Sequence, residues 1–400
     1  MGGPREADVA HDRLKLGDVL AAAENAAPGE SITVVAGNLR ERFGAMAVSF
    51  LFVDVVGRQM VRVAEEGAPD KGEGSECIPL AGSVYEKVLR TQRLTAAPDG
   101  GAGQRVIAPV TNRGDTVGVL ELTLPRAAGD VLDEVGRAAH ALAYIIVTDS
   151  RFTDLYHWGR RTAPMSLAAE IQYQLLPSSP CCEADQFALA SALVSANDIG
   201  GDTYDYALDR DTLHLSVTDA MGHDVDSALL ATLLVNASRG ARRAGQGLAE
   251  QADRTHQALL DHGRGGLATG QLLRIALDGS STQLVNAGHP WPLRLRDGTV
   301  EEVALDVDLP FGVPASAGYR VQNLDLRPGD RLLLYTDGMQ ERRAAAVDVP
   351  ALMRQTARLH PRETVRVLTA AATEACHGHL EDDATVLCLD WHGAAVPDGD

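Results

Sequence analysis

Between residues 13 and 43 apolar side chains recur at helical spacing: Leu14, Leu16, Val19 and Leu20, then Ile32, Val35, Leu39 and Phe43. Two helices are expected there, with Ser31 placed to cap the second. Ala47–Val56 and Gln59–Ala64 read as strands joined at Val56-Gly57-Arg58. Residues 82–90, GSVYEKVLR, suit a short helix, and residues 105–124, RVIAPVTNRGDTVGVLELTL, read as a hairpin turning at Asn112-Arg113-Gly114-Asp115. From Asp130 onward Leu132, Val135, Ala139, Leu142 and Ile146 fall at alternating spacings of three and four, an a/d seam. Asp149, Thr153 and Tyr156 continue the register with a weaker seam. The expectation is a linker helix that pairs with its copy in a dimer through residues 130–156; the alternative is a surface helix folded back onto the preceding domain. Residues 166–177, SLAAEIQYQLLP, form a further helix capped by Ser166 and stopped by Pro177.

In the second half the pattern changes to a period of two. Leu213, Leu215 and Val217 alternate with polar residues, as on a half-buried strand, which puts Asp219 at the strand's far end before Gly222. Residues 330–338 repeat the arrangement, an apolar run followed by Asp337 and Gly338. Residues 381–389, EDDATVLCL, invert it: Asp382 and Asp383 precede the run. Gly200-Gly201-Asp202, with Asp205 three residues on, stands just upstream. Carboxylates at strand ends so far apart in sequence share a purpose only if the fold gathers them. A set of oxygen ligands of this kind suits a hard divalent cation, Mg²⁺ or Mn²⁺.

Bulk composition narrows the classes. The chain's 400 residues favour two domains. A formal net charge of −19 argues against nucleic acid or an anionic membrane as partner. None of the five cysteines has C-x-x-C spacing, so neither a zinc site nor a disulfide framework is expected. No apolar run approaches the roughly 18 residues of a membrane span, and no signal peptide opens the chain, so a cytoplasmic location is expected. No G-x-x-x-x-G-K-[ST] loop is present, which disfavours a nucleotide kinase or GTPase.

Two resemblances add to this reading. The helix, strand, strand, helix, hairpin order over residues 28–125, with V-I-A-P-V and G-V-L-E-L after G-S-V-Y-E-K-V-L, resembles a GAF domain, a small-molecule sensor fold. That resemblance implies a bound small molecule, without assigning a contact residue; a folded spacer or dimerisation module is the alternative. From about residue 166 to 393, I-Q-Y-Q-L-L-P, I-G-G-D-T-Y-D, V-T-D-A-M-G-H, N-A-G-H-P-W-P-L, P-F-G-V, L-L-L-Y-T-D-G-M-Q-E and D-D-A-T-V follow one another. This ordered set resembles the metal-dependent, protein phosphatase 2C-like (PPM) phosphatases of the SpoIIE/RsbU branch. The implied fold class is layered α+β. A segment 1–27 precedes a GAF-like α/β sensor domain over 28–128, a linker helix covers 129–165, and an α-β-β-α sandwich of the PPM phosphatase type covers 166–393 before a tail, 394–400.

The resemblance implies two Mn²⁺ or Mg²⁺ ions. Asp219 would bridge both, with the Ala220 carbonyl as a further oxygen. Asp337 and Asp382 would hold one ion, and Asp202 would act at the other through water. Asp205 either joins this set or fixes its loop, and Asp383 is expected to support the ligands. His223 stands two residues beyond the place, here Met221, where eukaryotic relatives carry a proposed proton donor. It is either a general acid toward the leaving alcohol or a loop-packing residue. His289 is expected to order the sheet. The branch usually continues G-H-G after the bridging Asp, whereas this chain has Gly222-His223-Asp224, which puts a charge and a Cβ where the branch has the backbone freedom of glycine. The implied partner is a phosphorylated regulatory protein, such as an anti-sigma-factor antagonist of the STAS type. The rival readings are a catalytically weak or silent phosphoprotein-binding regulator and a metal phosphodiesterase or small-molecule phosphatase.

Overall fold

A computed structural model describes residues 16–54, 57–63, 76–101, 103–158, 160, 165–196, 200–222, 224–314, 318–340, 343–378, 380 and 382–394. The chain separates into two compact units. The first runs to residue 162 apart from a three-residue hairpin tip, and the second begins at residue 163.

The first unit contains, in order, α1 (Leu16–Glu24), α2 (Ser31–Phe43), β1 (Ala47–Val53), β2 (Gln59–Val63), β3 (Cys77–Pro79), α3 (Val84–Thr91), β4 (Thr95–Pro98), β5 (Gln104–Asn112), β6 (Asp115–Leu124), α4 (Gly129–Asp149) and the single turn α5 (Leu155–Trp158). Its six strands form one sheet in the order β3-β2-β1-β6-β5-β4. Alternation along β1 sends Phe50 and Phe52 to one face, where they pack with Val35 and Leu39 of α2 and Leu142 and Ile146 of α4. Leu51 points to the other face and meets Tyr85, Val88 and Leu89 of α3. The β5–β6 turn uses Arg113 at φ 45° and Gly114 at φ 82°, the left-handed pair that a two-residue hairpin loop requires.

Two expectations are corrected here. Ser31 does not cap α2. Glu30 occupies the N-cap without a side-chain bond, and the fully buried Ser31 hydroxyl donates instead to Asp149 Oδ2 at 2.5 Å. The seam of α4 is not left open for a second copy. Val135, Ala139, Leu142 and Ile146 lie in the unit's own core, because covering this face of the sheet demands an apolar helix stripe and the seam supplies it.

The second unit runs through α6 (Leu167–Leu175), β7 (Cys181–Ala184), β8 (Phe187–Val194), β9 (Asp202–Leu208), β10 (Thr212–Ala220), α7 (Asp224–Arg243), α8 (Leu248–His262), β11 (Ala268–Ala276), β12 (Thr282–Ala287), β13 (Leu293–Arg296), β14 (Thr299–Glu302), β15 (Gln322–Asn323), β16 (Arg331–Tyr335), α9 (Val349–Gln355), α10 (Pro361–Ala375) and β17 (Ala384–Trp391). Ser166 caps α6, its side chain accepting from the Ala169 amide, and the helix ends at an extended Leu176 before Pro177. Two sheets form, ordered β15-β12-β11-β10-β9 and β14-β13-β16-β17-β8-β7. Leu213, Leu215 and Val217 of β10 meet Leu332, Leu334, Leu387 and Leu389 of the other sheet in a shared core. The outer face of the first sheet packs on α7 and α8 through Ala231, Leu234 and Leu259. The outer face of the second packs on α9 and α10 through Met353, Val365 and Leu368. The layers are therefore helix, sheet, sheet, helix.

Candidate active site

Parity along the strands decides which acids meet. In β10 the odd residues face the space between the sheets, so Asp219 continues the row of Leu213, Leu215 and Val217. In β9 Tyr204 faces the same space, so Asp202 does too. The antiparallel register sets Asp202 directly opposite Asp219. Asp205 has the other parity and turns to the helical side. There it accepts two bonds from Arg239 of α7, at 2.8 and 3.1 Å, and one from Arg242 at 2.9 Å. Asp205 is thus an anchor for α7 and stands apart from the other acids.

The facing sheet contributes from the ends of two neighbouring strands. Thr336 follows β16 and Thr385 lies at the start of β17. Their hydroxyls both donate to Asp202 Oδ2, at 2.6 and 2.7 Å, and the Thr336 amide donates to the Thr385 carbonyl at 3.1 Å. These bonds bring the start of β9, the end of β16 and the start of β17 to one end of the sandwich. Asp337 opens the 3₁₀ turn Asp337–Met339 there, and Asp382 lies two residues before β17. Asp219, Asp337 and Asp382 are half-buried, whereas Asp202 and Asp383 are 3% and 1% exposed.

Asp383 braces this end from below. It accepts from the amides of Ala196 at 2.8 Å and Gly201 at 3.2 Å, and from Gln172 Nε2 of α6 at 2.6 Å. The same Gln172 nitrogen donates to the Asp202 carbonyl at 2.7 Å. Two glycines permit the packing. A Cβ on Gly201 would stand 2.3 Å from the Ala220 carbonyl oxygen, and one on Gly338 would stand 1.9 Å from the Asp383 carbonyl oxygen. His289 links the sheets. Its Nε2 donates to the Tyr335 carbonyl at 3.1 Å, so its Nδ1 accepts from the Thr269 hydroxyl at 2.9 Å. Burial pushes its pKa down to about 4, leaving it a neutral strut between β11 and β16.

Electrostatics favour a cation here. Burial, and then the charges of Asp219 and Asp383, hold the Asp202 carboxyl well above the usual carboxylate range. Burial likewise raises Asp383, to about 6. A divalent ion beside Asp219 would offset this repulsion, and the donors on offer, carboxylates and the Ala220 carbonyl, are hard oxygens. The set is open: among the described residues no three His, Cys, Asp or Glu side chains converge as a preformed cage. An ion bound by few carboxylates and several waters needs no such cage. His223 lies outside the described residues. Asp224, at the start of α7, has φ 66°, the left-handed conformation that favours glycine. Sequence reasoning missed Thr336, Thr385 and Gln172. The signals were a hydroxyl beside or near an acid on the inter-sheet parity, and one amide on a helix face otherwise made of Ala168, Ala169 and Leu175.

Comparison with known proteins bears on the same region. Residues 209–392 match the family model described as Stage II sporulation protein E (SpoIIE). The chain is 26% identical over 239 residues to the phosphoserine phosphatase RsbP of Bacillus subtilis, covering 56% of this chain and 57% of that protein. It therefore spans little more than half the length of this curated relative. Among solved structures, the RsbU and RsbW domains of a Mycobacterium tuberculosis protein align at 26% identity and a TM-score of 0.46, covering 53% of this chain and 61% of that one. The phosphatase domain of Bacillus subtilis SpoIIE with a fragment of its regulatory domain aligns at 13% identity and a TM-score of 0.45, covering 79% and 88%.

Proposed function

We propose, for a chain whose residues 209–392 match the SpoIIE family model, that the second unit is a metal-dependent protein phosphatase. Its substrate is phosphoserine or phosphothreonine on a regulatory protein of the anti-sigma-factor antagonist type. The observation that carries the reading is the meeting of Asp202 and Asp219 across β9 and β10 at the end where Asp337 and Asp382 leave the facing sheet. Similarity to a protein named a phosphoserine phosphatase supports the substrate class.

Asp219, Asp337 and Asp382, with the Ala220 carbonyl, would hold two Mn²⁺ or Mg²⁺ ions, and Asp202 would orient metal-bound water. When bound, such a pair polarises the phosphoryl group and lowers the pKa of a water. The chain's own part is positional. Thr336 and Thr385 hold one Asp202 oxygen, the closely opposed Gly201 and Ala220 backbones fix the end of β10, and Asp383 fixes the turn before β9. Asp383 and Gln172 stand behind the ligands and touch no substrate. His223 is assigned the proton donor to the leaving alcohol. Loss of that role in His223→Ala would slow a phosphoserine peptide far more than p-nitrophenyl phosphate, whose leaving group needs little protonation. Equal losses on both would remove His223 from the chemistry.

In this reading the first unit is a GAF-type sensor, and α6 is the element through which it acts, because Gln172 of α6 bonds both the Asp202 carbonyl and Asp383. Deleting residues 1–160 should change metal affinity and turnover; identical values for both proteins would refute the regulation. One observation favours a second reading, a weakly active or silent phosphoprotein-binding regulator: Asp224, five residues after Asp219 in the sequence, adds a charge and a strained φ. Mn²⁺-dependent phosphate release from phosphoserine proteins, absent in Asp337→Asn, supports the phosphatase. Stable binding of the phosphoprotein without release supports the regulator.

A further inference from the structure

His289 is buried on a turn that three side-chain bonds hold. Asn286 Oδ1 accepts from the His289 amide at 2.8 Å, and Asn286 Nδ2 donates to the His289 carbonyl at 2.9 Å. Gln271 Nε2 donates to the Pro290 carbonyl at 2.6 Å. Gly288 reverses the chain at φ 73°, and a Cβ there would stand 2.8 Å from Pro310 Cγ. The backbone on both sides of one imidazole is therefore fixed, by Asn286 and Gln271 side chains that are themselves fully buried. The ring's own two bonds then run to the two sheets. Nδ1 accepts from the Thr269 hydroxyl of β11 at 2.9 Å, and Nε2 donates to the Tyr335 carbonyl at the end of β16 at 3.1 Å. Both partners adjoin an acid of the site. Thr269 lies directly opposite Asp219 in the β10–β11 register, and Tyr335 stands two residues before Asp337.

We propose that His289 is a positioning residue that sets the gap across which Asp219 of one sheet and Asp337 of the other share a cation, and that it thereby makes the site prefer Mg²⁺ to the larger Ca²⁺. The inference rests on reading the second unit as a metal-dependent phosphatase, in which Asp219 joins Asp337 and Asp382 at one ion. That ion is held from both sheets, so its ligand distances follow the sheet separation. Mg²⁺ demands near-octahedral oxygens at short range, whereas Ca²⁺ accepts ligands a few tenths of an ångström further out and in looser arrangements. Discrimination between them depends on the size and rigidity of the ligand set. Two hydrogen bonds to a ring whose backbone is fixed leave little slack on that scale. Asp202 also ties the sheets together, through Thr336 and Thr385, but its carboxylate is one that a cation competes for. The His289 link contains no acid, so it is the same with and without the ion. His289 would touch neither metal nor substrate; it acts through Thr269 and Tyr335, as the partners behind metal ligands do.

Competition binding on the full chain tests this without any turnover. Free Mn²⁺ is followed by electron paramagnetic resonance while Mg²⁺ or Ca²⁺ displaces the bound ion. His289→Leu, which removes both bonds, should weaken Mg²⁺ by roughly tenfold or more and Ca²⁺ by clearly less, so that the Mg²⁺ to Ca²⁺ affinity ratio falls. Thr269→Val, which removes one hydroxyl and keeps the shape, should lower the ratio in the same direction. It carries the test alone if circular dichroism shows that His289→Leu does not fold. His289→Gln, which retains an N–H at the ε position for the Tyr335 carbonyl, should recover much of the wild-type ratio. A residue that only supports the fold would lower stability and leave the ratio of two cations on the folded protein where it was. An unchanged ratio in the folded variants, or a His289→Gln no better than His289→Leu, would overturn the proposal while Mn²⁺ binding by the wild type left the phosphatase reading standing. A wild type that binds no Mn²⁺ would overturn both.

Discussion

At the scale of single residues, the site sets half-buried acids beside two buried ones, Asp202 and Asp383, whose hydrogen bonds are provided by their neighbours. Asp202 Oδ2 takes two threonine hydroxyls. Replacing one by an isosteric apolar residue removes a donor from a buried carboxylate, so Thr385→Val should lower stability by about 1–3 kcal/mol, read by denaturant unfolding without added metal. Asp224 sits in a left-handed conformation that costs a non-glycine residue roughly 1 kcal/mol. Asp224→Gly should raise the melting temperature, and a lower one would show that the Asp224 side chain does more than tolerate its place. His289 gives a signed pH dependence. Its folded pKa is depressed to about 4 from an ordinary value of 6.5, so between those values the unfolded chain binds one more proton than the folded one. Stability therefore rises with pH across that window, by roughly 3 kcal/mol at full effect. In His289→Asn the slope between pH 4 and 6.5 should fall by about one proton, and an unchanged slope would show that His289 is protonated in the fold.

At the scale of elements, α6 is held by side-chain bonds along its length, among them the Tyr173 hydroxyl donating to the Leu193 carbonyl at 3.1 Å. Gln172 bonds Asp202 and Asp383 in its middle, and its terminal Leu175 carbonyl accepts from Arg239 Nη2 at 2.6 Å. Arg239 is in turn fixed by Asp205. Arg239→Met leaves Asp205 with Arg242 alone and frees the helix end. It should cost about 3 kcal/mol and raise amide exchange in α6 above that in α10, which Arg239 does not touch; uniform exchange would mean that the Leu175–Arg239 bond does not hold α6. How much was legible follows from the same elements. The period-two row of β10 reported strand and face, and the apolar runs of β16 and β17 reported strands, so Asp219, Asp337 and Asp382 could be placed at strand ends from the pattern. What spacing could not give was that Thr336 and Thr385 both bond Asp202, or the place of Gln172. These depend on how two sheets and a helix distant in sequence are stacked. The α4 seam shows the converse error: its periodicity was real, but an apolar stripe serves its own sheet as well as a second copy, and only packing distinguishes the two.

At the scale of the whole molecule, an acidic chain of formal charge −19 carries two units with separate cores. No helix among the described residues is long and apolar enough to cross a membrane. The second unit's layered form puts acids from β9, β10, β16 and β17 at one end although they span Asp202 to Asp383 in sequence. A hairpin could not gather ends so remote; two facing sheets can. The account stands on those acids acting together on cations. Its most direct test is a Mn²⁺ titration of the full chain followed by phosphate release from a phosphoserine protein, for wild type, Asp219→Asn and Asp337→Asn. The account predicts saturable binding and metal-dependent release in the wild type, with both reduced at least tenfold in each variant while the fold is retained. Wild-type binding and turnover in either variant would contradict it.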